Sequence, residues 1–184
     1  MYPISMQYFS VFSVCSAYSN TRGEEQKVIS YSYFNDDHAK FLVKNAQTIQ
    51  DLYPGYIMRI YHNFTENRQL CELFCQNDHI DLCNVRKLPI LSDISEIFPM
   101  IWRFLPMLDL QVDVMMSRDL DSVINERESA AVTQWMESSY AFHIMRDHPL
   151  HAKEIMGGLF GIKLGNNCPK VNFHEHMINV FRFF

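Results

Sequence analysis

Asp119 and Asp121 stand one residue apart within the run Ser117, Arg118, Asp119, Leu120, Asp121, Ser122. Two carboxylates this close, on a chain that bends, can serve one centre. Hard divalent cations such as magnesium or manganese prefer oxygen ligands. They commonly bind through one or two carboxylates and complete their shell with substrate phosphates. The competing reading is a plain acidic loop, since Asp-x-Asp is a common loop composition.

The elements around the pair decide between these readings. Leu110, Val112, Val114 and Met116 alternate with other residues just upstream, which predicts a strand. Downstream, Asn125 with Glu128 three residues on reads as an N-cap and its reciprocal partner. Ile124, Ala131 and Trp135 then fall on one helical face. The two aspartates therefore sit where a strand gives way to a helix. In open α/β sheets, ligands bind at that edge, beyond the carboxyl ends of the strands.

The rest of the chain supplies the sheet. Strands are predicted at 28–34, rich in β-branched and aromatic residues, and at 56–61, 80–85 and 141–145. Asn35, Asp36 and Asp37 break the first strand and can cap a helix whose apolar residues are Leu42, Ala46, Ile49 and Tyr53. Leu70, Leu73 and Phe74 mark a second helix. Ile94, Ile97, Phe98, Ile101 and Leu105 share a face of a further segment, whose regular helix is expected to begin at Pro99 and to close at Pro106. Strands alternating with helices imply an α/β fold, a mostly parallel sheet with helices on both faces. Neither an internal repeat nor a low-complexity linker interrupts it.

Composition narrows the function classes. The chain has 184 residues, 48% of them hydrophobic, enough for one domain with a sizeable core. A net charge of −5 argues against nucleic acid as a main partner, which calls for a basic face. It leaves a diphosphate open, because a metal can bridge two anionic groups. The five cysteines are too scattered for a disulfide scaffold. Cys71, Cys75 and Cys83 lack zinc-site spacing and are expected to be core thiols. Asn63, Phe64 and Thr65 form a glycosylation triplet, meaningful only in a secretory lumen. The first 18 residues are apolar but broken by serines, without the basic start of a signal peptide or the unbroken run of a membrane span.

Five segments together carry a likeness: Trp102 to Pro106 (W-R-F-L-P), 117–122 (S-R-D-x-D-S), 127–135 (R-E-x-x-A-V-x-x-W), 143–151 (H-x-M-R-D-H-P-x-H) and 157–161 (G-G-x-x-G). They resemble an uncharacterised group of glycosyltransferase-like proteins over residues 28–165. That resemblance implies a Rossmann-like GT-A glycosyltransferase fold in which Asp119 and Asp121 hold manganese or magnesium on a nucleotide-sugar donor. It implies a poorly defined segment 1–26, a nucleotide-sugar-binding domain 27–165 and a divergent tail 166–184. The likeness fades after Gly165, so the chain reads as C-terminally shortened, with slow or absent transfer expected. A Golgi relative would carry a membrane anchor, which makes membrane association and a secretory location open expectations.

Under this resemblance the remaining residues acquire roles, each with an alternative. Tyr33 would stack on the base and Asp36 would bond the ribose, or both would be turn residues. Arg103 would contact the diphosphate, or pair with Asp109 or Asp119. Arg118 would contact phosphate or sugar, or act as a buried counter-ion. Arg146, Asp147 and His148 would lie on the ligand edge, with Asp147 as the catalytic candidate, bonding the donor sugar or orienting the acceptor. Gly157 and Gly158 would form a flat wall for the sugar ring, or a tight turn. His143, His148 and His151 invite a zinc reading, which the harder Asp-x-Asp ligands disfavour. The activity implied is metal-dependent transfer of a sugar from a nucleotide donor to a glycan or lipid-linked saccharide. The alternatives are a homologue that binds nucleotide or a partner without turnover, and a carbohydrate-binding module.

Overall fold

A computed structural model describes residues 13–146, 148–149, 151 and 155–164. The chain runs through α1 (Ala17–Asn20), β1 (Gln26–Tyr33), α2 (Ala39–Leu52), β2 (Tyr56–His62), α3 (Arg68–Gln76) and β3 (Ile80–Asn84). A 3-10 segment Pro99–Leu108 follows, then β4 (Val112–Arg118), α4 (Glu126–Glu137), β5 (Phe142–Ile144) and β6 (Leu159–Lys163). The strands make one six-stranded sheet in the order β3-β2-β1-β4-β6-β5. β1, β2, β3 and β4 run parallel to one another, while β6 is antiparallel to both β4 and β5. The α/β class with a mostly parallel sheet is therefore the observed fold.

The two faces are covered differently. Ile29, Tyr31 and Tyr33 of β1 and Val114 and Met116 of β4 pack against Leu42 and Ile49 of α2, Leu70 and Leu73 of α3, and Val132 and Trp135 of α4. The other face is closed by the 3-10 segment, whose Trp102, Leu105 and Leu108 pack on Tyr61 and Cys83 and whose Met107 packs on Val28 and Met115. Period-two alternation sends neighbouring strand residues to opposite layers. The α-helix expected from Pro99 is thus a 3-10 helix, and Pro106 lies inside it rather than closing it. The sheet-facing residues Trp102 and Leu105 are three apart, the spacing at which a 3-10 helix repeats its face.

Local capping was well specified. The side chains of Asn67 and Asn125 accept from the backbone N–H groups of Leu70 and Glu128 at 3.0 and 3.1 Å. The reciprocal half of the Asn125 box is missing, because the Glu128 carboxylate turns to Arg118 instead.

Three expectations change. Cys83 is buried but not a free thiol: it is disulfide-bonded to Cys15 across a separation of 68 residues. Cys71 and Cys75 are exposed free thiols on α3, not core residues. Residues 13–15, expected in a poorly defined segment, are buried, with Ser13 Oγ donating to Asp109 at 2.5 Å. Among the described residues no helix is long and apolar enough to cross a membrane.

Candidate active site

The chain goes from β1 to β2 and β3 on one side, then crosses to β4 on the other. The gap between the carboxyl ends of β1 and β4 is therefore a topological switch point, where the sheet opens outward. A cavity of about 230 Å³ lies there. It is lined by Ser32 to Asn35 and His38 after β1, Met100 and Arg103 of the 3-10 segment, and Asp119, Leu120 and Asp121 after β4.

Both predicted carboxylates thus meet at one cavity. They differ in their surroundings. Asp119 is ion-paired through Oδ1 with Nη1 of Arg103, and its side chain is 41% exposed. Arg103 is itself 6% exposed, also donates Nη1 to the Arg118 carbonyl at 3.3 Å, and leaves its Nε without a partner among the described residues. Asp121 is exposed and makes no ion pair among the described residues.

Gly157 and Gly158 form the turn that enters β6, whose residue Leu159 lies opposite Arg118. A Cβ built on Gly158 would lie 2.0 Å from Asp119 Oδ2, and one on Gly157 would lie 2.8 Å from Arg103 Nη2. The glycines are needed because the backbone closes directly on the Arg103–Asp119 pair.

Several candidates fall elsewhere. Arg118 is 1% exposed, with Nε donating to Glu128 at 2.5 Å and Nη1 to the carbonyls of Ser117 and Phe160 at 2.8 and 2.9 Å. Strand alternation turns it under α4, away from Asp119, so it is the buried counter-ion. Tyr33 also faces the helical layer: its ring tilts against Phe64 with centroids 5.0 Å apart, and its hydroxyl donates to Asp36 at 2.8 Å. Burial, with the Asp36 carboxylate beside it, pushes the Tyr33 hydroxyl up to about 12. Tyr33 lines the cavity without a free ring face, and Asp36 also accepts from Asn67 at 3.2 Å, outside the cavity lining.

The aromatic at the opening is Phe34. It is 40% exposed, lines the cavity and meets Trp102 edge to face, 6.2 Å between centroids. The signal for it was the phase of β1: if Tyr33 faces inward, the first residue past the strand is the one left at the rim.

Arg146 and His148 follow β5, whose direction matches β4, so they share the sheet edge with the aspartates. β6 intervenes, and neither residue lines the cavity. His148 and His151 pack ring to ring at 5.5 Å, and Asp147 lies outside the described residues. His143 stacks on Trp135 with centroids 5.1 Å apart, and burial with nearby Arg118 pulls its pKa down to about 4.

Among the described residues no cluster of three or more His, Cys, Asp or Glu could form an all-protein metal cage. The Asp119–Asp121 pair fits the other kind of cation site. It offers only hard oxygens, one carboxylate is open, and remaining positions would be filled by water or a diphosphate.

No family model matches the chain, and no curated protein matches it in sequence. Among solved structures it is similar to the apo-form glycosyltransferase GlyE of Streptococcus pneumoniae TIGR4, with a TM-score of 0.51 at 9% identity. The match covers 86% of this chain and 39% of that one. At this identity the likeness concerns the fold: a glycosyltransferase of known structure is built on the same α/β arrangement.

Proposed function

We propose that this domain binds a nucleotide sugar and transfers the sugar to a hydroxyl of a glycan or lipid-linked saccharide, with manganese or magnesium held by Asp119 and Asp121. The observation that carries the reading is the convergence of both carboxylates on one cavity at the switch point between β1 and β4. The shared α/β arrangement with a glycosyltransferase supports it at the level of fold.

The residues divide the work. Asp121, open to solvent, is the carboxylate available as a direct ligand. Asp119 is oriented by Arg103 and by the glycine turn behind it. Arg103 lines the same cavity and is the cation proposed to contact a diphosphate oxygen. Phe34 offers a ring face for a base at the rim. When bound, the metal supplies Lewis-acid stabilisation of the diphosphate leaving group. Asp147 remains the proposed sugar or acceptor contact.

A second reading is favoured by one observation: Asp119 is already neutralised by Arg103. On that reading the domain binds nucleotide without turnover. A thermal-shift screen of nucleoside diphosphates, with and without manganese, tests binding, since a ligand specific to the folded state raises its stability. Metal-dependent stabilisation by one diphosphate is expected, and a response to free sugars alone would favour a carbohydrate-binding module. Single-turnover incubation with the matching nucleotide sugar then separates enzyme from binder.

A further inference from the structure

The triplet Asn63, Phe64, Thr65 falls immediately after β2, in the loop beyond the sheet edge. Its central residue is anchored. The Phe64 ring packs on Tyr33 at 5.0 Å and stacks on His62 at 6.3 Å, and its carbonyl accepts from Asn84 Nδ2 at 3.3 Å. The flanking residues are not: Thr65 is exposed, and Asn63 is half-buried with its carbonyl accepting from Arg86 Nε at 3.0 Å. The Asn63 side chain makes no hydrogen bond among the described residues. Its amide is therefore uncommitted.

The second observation is the Cys15–Cys83 disulfide. Both cysteines are at most 2% exposed, so the bond closes inside the folded domain. Structural disulfides of this kind form and persist in oxidising compartments. The same chain thus carries a glycosylation triplet on an accessible loop and a disulfide of the kind kept in oxidising compartments, among them the secretory lumen where such triplets are read. Neither observation depends on the activity proposed above.

We infer that Asn63 is an N-glycosylation site. The step joins Asn63 Nδ2 to the anomeric carbon of an oligosaccharide carried on a lipid diphosphate. The anomeric C–O bond breaks, the diphosphate departs with the bonding pair, and one amide proton passes to a base of the transferring enzyme. No oxidant or reductant is needed. The glycan would follow β2, whereas the candidate cavity is built from the ends of β1 and β4 on the far side of β1. It would add a bulky, solubilising group to the loop and leave the cavity open.

The test is secretion of the full chain from eukaryotic cells behind a cleavable leader, followed by intact mass and peptide mapping. Expected is a heavier species that an N-glycan amidase collapses to the polypeptide mass, with Asn63 converted to aspartate. The heavier species should vanish in Asn63→Gln and Thr65→Ala and persist in Thr65→Ser. The two Thr65 variants alter the same side chain, so a folding defect in Asn63→Gln does not obscure the result. Secreted, disulfide-bonded protein with an unmodified Asn63 peptide would overturn the inference. So would retention of the chain in the cell with Cys15 and Cys83 as free thiols.

Discussion

Arg59 and Arg103 meet aspartates on the same face of one sheet, yet their surroundings are opposite. Arg59 is fully buried and satisfied: Nη1 donates to Asp109 at 2.7 Å, Nη2 to Gln26 at 2.6 Å, and Nε reaches Asp81 at 3.4 Å. Asp81 also receives Arg22, and Asp109 also receives Ser13. This network ties β1, β2, β3 and the N-terminal segment near the amino ends of the strands. Arg103 lies at the carboxyl edge, with an Nε that has no partner among the described residues and an aspartate partner open to solvent. A closed network of charges fixes a fold. An incompletely satisfied pair facing a cavity can exchange its partner for a ligand.

The largest effect should come from breaking the closed network. Asp109→Ala leaves Arg59 buried without its nearest counter-charge and should cost about 3–5 kcal/mol. Asp119→Ala, where the lost carboxylate is itself 41% exposed, should cost less, about 1–3 kcal/mol. Urea midpoints of both variants at unchanged m-value check the contrast. Equal losses would erase the distinction between the two arginines.

The disulfide reinforces the closed side, since Cys83 sits on β3 beside the Arg59 partners. Cys83→Ser should lower stability by about 2–4 kcal/mol, the usual cost for a long closed loop, again read from urea unfolding. Diphosphate affinity at the open side should remain unchanged in folded protein.

Gly158→Ala sharpens the contrast from the other direction. Its Cβ would meet the Asp119 carboxylate, so a stability loss of about 1–3 kcal/mol is expected from overpacking. Metal-dependent diphosphate affinity should fall at least ~10-fold, about 1.4 kcal/mol. A variant that binds normally would show that Asp119 need not hold its observed position.

At neutral pH the smallest effect, growing as the solution is acidified, is a pH dependence belonging to neither pair. Burial pulls His62 and His143 down to about 4, against an ordinary value near 6.5. Between those values the unfolded chain binds more protons than the folded one, so stability falls as pH drops from about 6.5 towards 4 and is full above 6.5. Replacing both histidines with Gln should flatten that part of a stability–pH curve. An unchanged slope would assign it to other groups.

The strands and helices were legible because alternation, N-caps and apolar spacing are local signals. The placing of Asp119 and Asp121 beside one cavity at the sheet edge followed from the strand-to-helix junction. Side-chain direction was harder. Arg118 and Tyr33 are chemically suited to a ligand, but the phase of β4 and β1 turns both into the helical layer. β6 was not foreseen: its five residues include Gly161, which makes room for Trp135. The Cys15 partner of Cys83 lies 68 residues away, and no local signal encodes such a pairing.

If Asp119 and Asp121 bind a diphosphate through a shared divalent ion, nucleotide affinity depends on both carboxylates and on the metal. Calorimetry of the stabilising nucleoside diphosphate, with and without manganese, on the wild type and on Asp119→Asn and Asp121→Asn tests it most directly. Expected is binding by the wild type only with manganese, and loss of that binding in either variant while the fold is retained. Manganese-dependent affinity that is unchanged in both variants would contradict it.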